Sequence, residues 1–159
     1  MTQLIEMTSN QVPLQNLNQS HLNLDDSKVM RILVVEDDLT LKSFWGHILN
    51  DMYKKNKIDW ASSEEEAETM IRSRWMKAKP YDLVISDIFL AGQKTGIELW
   101  LNLAEAAHQY LFVSVLAENR FEQLMKGMGT QPLFLQKPLR ANACKEILAT
   151  MAKNRGNYG

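Results

Sequence analysis

The stretch Tyr81-Asp82-Leu83-Val84-Ile85-Ser86-Asp87-Ile88-Phe89-Leu90 constrains this chain more than any other. It reads as a short apolar strand that runs onto a carboxylate, Asp87, and then opens into the loop Ala91-Gly92-Gln93-Lys94-Thr95-Gly96. An ionised side chain is costly in a strand interior, because desolvating the charge is unfavourable. At a strand's carboxyl end the same group can face a crevice, and open α/β sheets bind their ligands there. Asp87 is therefore the first candidate for a reactive side chain.

The rest of the chain alternates in a regular way. Val29 to Val35 is an apolar run broken only by Arg31, as suits a strand buried on both faces, and it ends at Glu36-Asp37-Asp38. Leu41, Phe44, Trp45, Ile48, Leu49 and Met52 follow at helical spacing. Ile58 to Ala61 is a short second strand near an edge. Ser62 or Ser63 with Glu65 or Glu66 forms a capping-box pattern ahead of Ala67, Met70, Ile71 and Trp75. After the Asp87 strand comes a helix from about Ile97 to His108, then a fourth strand from Leu111 to Leu116. Phe121, Leu124, Met125 and Met128 mark a short helix that Gly127 and Gly129 help to end. Pro132 to Gln136 is a fifth strand, and Pro138 suits the first turn of a last helix carrying Leu139, Ala143, Ile147, Leu148 and Met151. Five strand–helix units in succession imply a parallel sheet covered on both faces by right-handed crossovers.

Three strand ends carry charge: Glu36-Asp37, Asp87 and Lys137. If the first and third strands are neighbours, the three carboxylates converge and repel unless something offsets them. A hard divalent cation such as Mg²⁺ does so with oxygen ligands, and a lysine ammonium adds a mobile counter-charge. A carboxylate in such a setting can attack phosphorus and form an acyl phosphate. The competing reading makes Asp37 and Asp38 a helix N-cap and Lys137 a surface lysine. Asp38 fits the cap better than a ligand position.

The blocks Arg31-Ile-Leu-Val-Val-Glu-Asp-Asp38, Asp82-Leu-Val-Ile-Ser-Asp87, Gly96-Ile-Glu-Leu99 and Gln136-Lys-Pro138 resemble those of the response-regulator receiver domain, the CheY-like domain of two-component signalling. The resemblance covers about residues 29–153. It implies a three-layer, flavodoxin-like (βα)5 fold with a five-stranded parallel sheet in the order 2-1-3-4-5. It also implies Asp87 as phosphoacceptor, with Mg²⁺ held by Glu36, Asp37, Asp87 and the backbone carbonyl of Phe89, and Lys137 on the phosphoryl group. The phosphate would come from a histidine kinase or a histidine phosphotransfer protein. Output would pass by protein contact through about Glu118 to Met151, since the last helix ends close to Gly159. The chain would catalyse only its own phosphorylation and dephosphorylation.

Two departures qualify the resemblance. The family carries Ser or Thr at the end of the fourth strand, where Leu116 stands before Ala117. A shifted register would instead recruit Ser114. Without that hydroxyl, coupling to the aromatic switch position, Phe134, is in doubt. This supports an alternative function as a receiver-like scaffold that phosphorylation does not switch. The second departure is Ala91 in place of a usual proline. Phe89 and Glu118 fall where the family tunes dephosphorylation. A phosphatase or nucleotide-binding enzyme is disfavoured, since no Gly-rich phosphate loop follows the first strand.

Bulk composition narrows the setting. The chain of 159 residues is 45% hydrophobic and 23% charged, in the range of one ordinary domain. A net charge of −1 supplies no overall field for nucleic acid or a membrane. The single cysteine, Cys144, excludes an internal disulfide and is expected to pack within the last helix. No secretory signal or membrane span is evident, so a cytoplasmic setting is expected. Residues 1–28 are rich in Gln, Asn and Ser, with Leu14, Leu17, Leu22 and Leu24 lacking a period. They read as a flexible leader or as a docking arm, and 154–159 as a tail. Trp45, Trp75 and Trp100 are expected in the core, Trp60 half exposed, and Glu64 to Glu66 solvated. Oligomeric state is left open, a homodimer included.

Overall fold

Alternation inside the apolar runs decides the architecture. Ile32 and Val34 face one side of the first strand and Leu33 and Val35 the other, and all four are buried. Such a strand needs cover on both faces. The computed structural model, which describes residues 28–90, 95–129 and 131–155, supplies that cover. The expected extension up to residue 27, loop residues 91–94, including Ala91, and the tail from 156 lie outside the described residues.

The elements are β1 (Met30–Val35), α1 (Leu39–Met52), β2 (Asn56–Ala61), α2 (Glu64–Met76), β3 (Leu83–Asp87), α3 (Gly96–Leu103), β4 (Tyr110–Ser114), α4 (Glu118–Met125), β5 (Leu133–Gln136) and α5 (Ala141–Arg155). All strands are parallel, in the order β2-β1-β3-β4-β5. On one face, Ile32, Val34, Leu83, Ile85, Leu111 and Val113 pack against α1 and α5. On the other, Leu33, Val35 and Val84 meet Ala67 and Ile71 of α2 and Leu99 and Leu103 of α3. Phe112 and Ile88 extend that layer to Phe121 and Met125 of α4. This is the expected three-layer α/β fold.

Several boundaries differ from the sequence reading. The third helix stops at Leu103 and passes into a 3₁₀ turn over Ala104–Ala106, so it is shorter than Ile97 to His108. β4 ends at Ser114, not Leu116, because the Ser114 hydroxyl accepts the Leu116 N–H at 3.2 Å and turns the chain. Pro138 lies ahead of α5, which is entered at Ala141 and runs to Arg155, into the stretch read as a tail. Met128 falls outside α4, where Gly127 and Gly129 adopt φ of +87° and +75°.

Burial brings two corrections. Trp75 is 53% exposed, since it sits in the last turn of α2 at the end of its layer, where apolar spacing alone does not bury a side chain. Glu64 is fully buried, not solvated, because it shares the inward face of α2 with Ala67 and Ile71 at i+3 and i+7. Trp45 is buried, while Trp60 and Trp100 are partly buried against the core, as expected. Cys144 packs in the core, and burial pushes its thiol up to about 11.

Candidate functional site

The strand order brings the carboxyl ends of β1, β3 and β5 to one edge of the sheet. Asp87 closes β3 and is 7% exposed. Its Oδ1 accepts the Phe89 N–H at 3.0 Å, and its Oδ2 accepts from Lys137 Nζ at 2.6 Å. Lys137 follows β5 and is anchored by its own N–H, which donates to the Ser114 carbonyl at 2.7 Å. Its Nζ also donates to Glu36 Oε2 at 3.3 Å. Glu36 follows β1, is 3% exposed, and accepts the Asp38 N–H through Oε1 at 3.0 Å. One lysine ammonium thus joins carboxylates from residues 36 and 87.

Electrostatics follow from this packing. Burial pushes the Glu36 carboxyl above its ordinary value, and the Asp87 charge adds to that, against the Asp38 N–H and Lys137. Burial pulls Lys137 down, but hydrogen bonds and charge from Asp87 and Glu36 outweigh it and hold the ammonium above its usual range. Removing either carboxylate would leave the other with most of the lysine's charge. Removing the lysine would leave two nearby anions facing each other.

The backbone around Asp87 tolerates no added side chain at Gly96. A Cβ there would run into the Asp87 carbonyl oxygen and crowd Ser86 Oγ, while the Gly96 N–H donates to the Ile88 carbonyl at 3.0 Å. Ser86 Oγ in turn donates to the Asp87 carbonyl at 3.0 Å. Thr95 and Glu98 form a reciprocal capping box that starts α3 beside this contact. The glycine of the third sequence block is therefore what seats α3 against the phosphoacceptor candidate.

The other expected site residues divide into two groups. Asp38 caps α1, accepting from the Thr40 and Leu41 N–H groups at 2.8 and 3.4 Å. Asp37 is exposed beside Glu36. Among the described residues, no three carboxylate, imidazole or thiol side chains are gathered closely enough to hold a metal as they stand. The oxygen-only donor set of Glu36, Asp37 and Asp87 nevertheless suits a hard cation in kind. Lys137 occupies the place between two of those groups. Phe89 is 54% exposed next to the crevice.

Ser114 is fully buried with its oxygen committed to the Leu116 N–H. Leu116 itself packs against Ile88, Phe112, Phe121 and Met125, and Phe134 joins the same cluster. The Phe134 ring stacks on Phe121 of α4, with centroids 4.4 Å apart and planes 11° apart.

Two charged groups carry more structure than the sequence reading assigned. Among the described residues neither oxygen of Glu64 has a hydrogen-bond partner, and burial raises its carboxyl, with Glu65, Glu98 and Asp37 adding to the effect. Its spacing to Ala67 and Ile71 was the available signal. Asp82 lies just ahead of β3, at the opposite end of the sheet, and is buried. It accepts the Arg31 N–H at 2.8 Å and pairs with Lys28 at 3.3 Å and with Arg155 at the end of α5. Burial works to raise its carboxyl, but these three donors hold it below the usual carboxylate range.

No protein-family profile matches the chain, and no curated protein does. Solved structures do. The non-phosphorylated HemR receiver domain of Leptospira biflexa is 25% identical, with a TM-score of 0.63 over 77% of this chain and 94% of that one. A response regulator receiver protein of Sinorhizobium medicae is 18% identical, with a TM-score of 0.66 over 81% and 98%. The chemotaxis response regulator CheY4 of Vibrio cholerae is 19% identical, with a TM-score of 0.62 over 78% and 99%. The chain has the fold of a CheY-like response-regulator receiver domain. The four sequence blocks and the three-dimensional likeness point to the same class.

Proposed function

We propose that this protein accepts a phosphoryl group on Asp87 from a histidine-phosphorylated kinase or phosphotransfer protein, and relays a signal by protein contact. The observation that carries the reading is the Asp87 carboxylate at the mouth of the sheet, held at 2.6 Å by a lysine shared with Glu36. A carboxylate oxygen of Asp87 forms a bond to phosphorus as the donor's P–N bond breaks, and the departing imidazole takes a proton from solvent. Water attack on phosphorus reverses the state, releasing phosphate and the free carboxylate. Lys137 offers its ammonium to the charge that arrives with the phosphoryl group. Glu36 and Asp37, with Asp87 and the Phe89 carbonyl, would hold Mg²⁺, which when bound neutralises phosphoryl oxygens.

A second reading, the scaffold that phosphate does not switch, is favoured by one observation. Leu116 fills the apolar cluster beneath the stacked Phe121 and Phe134, and offers no hydroxyl to draw that cluster toward the crevice. The test is intact mass after incubation with Mg²⁺ and acetyl phosphate. A single phosphoryl adduct, absent in Asp87→Asn and with a chelator, supports phosphoryl acceptance. No adduct with acetyl phosphate or with phosphoramidate favours the scaffold.

A further inference from the structure

The net charge of −1 averages over two ends of opposite character. Around the Asp87 crevice lie Asp37, Asp38, Glu65, Glu66 and Glu98, all exposed. At the other end of the sheet, about 20 Å away for strands of this length, the α1–β2 and α2–β3 connections are basic, while Glu105 stands in the α3–β4 connection. From Thr69 to Tyr81 the chain carries Arg72, Arg74, Lys77 and Lys79 and no acidic residue, with Arg72 paired to Glu68 and Arg74 to Asp59. Lys54, Lys55 and Lys57 lead into the edge strand β2 at the same end, and all three are exposed. At that end Asp82, just ahead of β3, is buried and paired with Lys28 and Arg155, and Asp51 in the last turn of α1 pairs with Lys145.

Two apolar side chains project from the middle of this basic region. Trp75 is 53% exposed and Met76 is 84% exposed, side by side in the last turn of α2. An exposed apolar pair followed by Lys77 and Lys79 has little to gain in water, and it is a pattern that suits a lipid interface. Lysines contribute by attraction to anionic headgroups, and tryptophan settles at headgroup depth. A nucleic acid would use the same cations, but one exposed ring offers a poor stacking platform and Met76 offers none. Lipid is the better match.

We infer that the end of the molecule opposite Asp87, centred on Trp75, Met76, Lys77 and Lys79, docks on an anionic lipid surface. Attachment there is peripheral, and among the described residues no helix is long and apolar enough to cross a membrane. The orientation leaves the acidic crevice directed away from the lipid, open to a protein donor. This inference does not depend on the phosphoryl chemistry of Asp87.

The experiment is co-sedimentation of the full chain with phosphatidylcholine vesicles, with and without phosphatidylglycerol, at low and high salt. The expected result is binding to the anionic vesicles alone, weakened by salt. Lys77→Gln/Lys79→Gln should weaken partitioning roughly thirty-fold, at about five-fold per lysine near an anionic surface. Trp75→Ala/Met76→Ser should weaken it too, with an unchanged urea midpoint to show that the fold is intact. No binding to anionic vesicles would overturn the inference, as would equal binding to neutral ones or binding that survives the lysine substitutions. Tighter binding to a single-stranded oligonucleotide than to the vesicles would also overturn it, assigning the surface to nucleic acid.

Discussion

Asp82 and Asp87 open and close the same short block, yet they do opposite work. Asp82 is a buried carboxylate whose partners, the Arg31 N–H, Lys28 and Arg155, hold its ionised form in the folded state. Its folded pKa is depressed, so its stabilisation is present above the ordinary carboxylate pKa of about 4 and is lost as pH falls below it. Asp82→Asn should therefore cost about 1–2 kcal/mol at pH 7, discounted for the half-exposed Lys28, with the gap closing near pH 3. Urea titrations of both proteins at the two pH values read this, and an equal gap at both would contradict it. Glu36, whose carboxyl is raised mainly by burial, loses stability as pH rises instead, and the paired comparison removes its contribution. Phe89 adds a kinetic expectation. It stands exposed two residues past the acceptor candidate, where its ring can obstruct water, so Phe89→Asn should speed loss of phosphate by about ten-fold, or 1.4 kcal/mol of barrier. Intact-mass decay after removal of the donor measures this, and an unchanged rate would set the idea aside.

Two helix starts, those of α1 and α2, were legible in the sequence, and the end of β4 was not. Ser63 accepts the Glu66 N–H at 3.2 Å, while Glu66 reaches back to the Ser62 N–H at 2.8 Å, so both serines of the capping pattern are used. Asp38 as the α1 cap was equally readable, because short acceptors before an apolar period have one good use. The end of β4 was not readable. Ser114, Val115 and Leu116 all suit a strand, and only the hydroxyl contact with the Leu116 N–H stops it. The far end of α2 hid another feature. Ala78 has φ of 54°, with its N–H on the Trp75 carbonyl and the Lys79 N–H on the Arg74 carbonyl, a Schellman-type ending that glycine usually serves. An alanine in this region carries strain of about 1–2 kcal/mol. Ala78→Gly should raise stability by about 0.5–1 kcal/mol once the extra chain entropy of glycine is subtracted. Thermal unfolding should shift upward by about 2–3 °C. A downward shift would show that the strain is absent.

Across the whole molecule, the sheet order came from the family resemblance, and with β1 and β3 adjacent the meeting of Glu36, Asp87 and Lys137 was legible from which residues end the strands. Asp37 standing apart from that ion pair was not, since a one-residue step along a loop changes direction without changing sequence chemistry. Neither was the charge segregation, because a net value conceals where the chain folds its lysines. Leu116 is where local packing meets long-range behaviour. It shares its cluster with the stacked Phe121 and Phe134, which join α4 to β5. Leu116→Thr removes part of that apolar filling, at about 1–2 kcal/mol, and places a hydroxyl beside the crevice. Amide chemical shifts after addition of beryllofluoride should change near Asp87 in both proteins, and extend into α4 and β5 more widely in the variant. The same spread in both would show that Leu116 does not isolate the two regions.

Reductive trapping tests the central claim most directly. The full chain is incubated with acetyl phosphate and Mg²⁺, treated with borohydride, digested and mapped by mass. An acyl phosphate on Asp87 would be reduced to homoserine at position 87, and that is the predicted product, absent without the phosphodonor. Homoserine at another carboxylate, or none at any position, would contradict Asp87 as the phosphoryl acceptor.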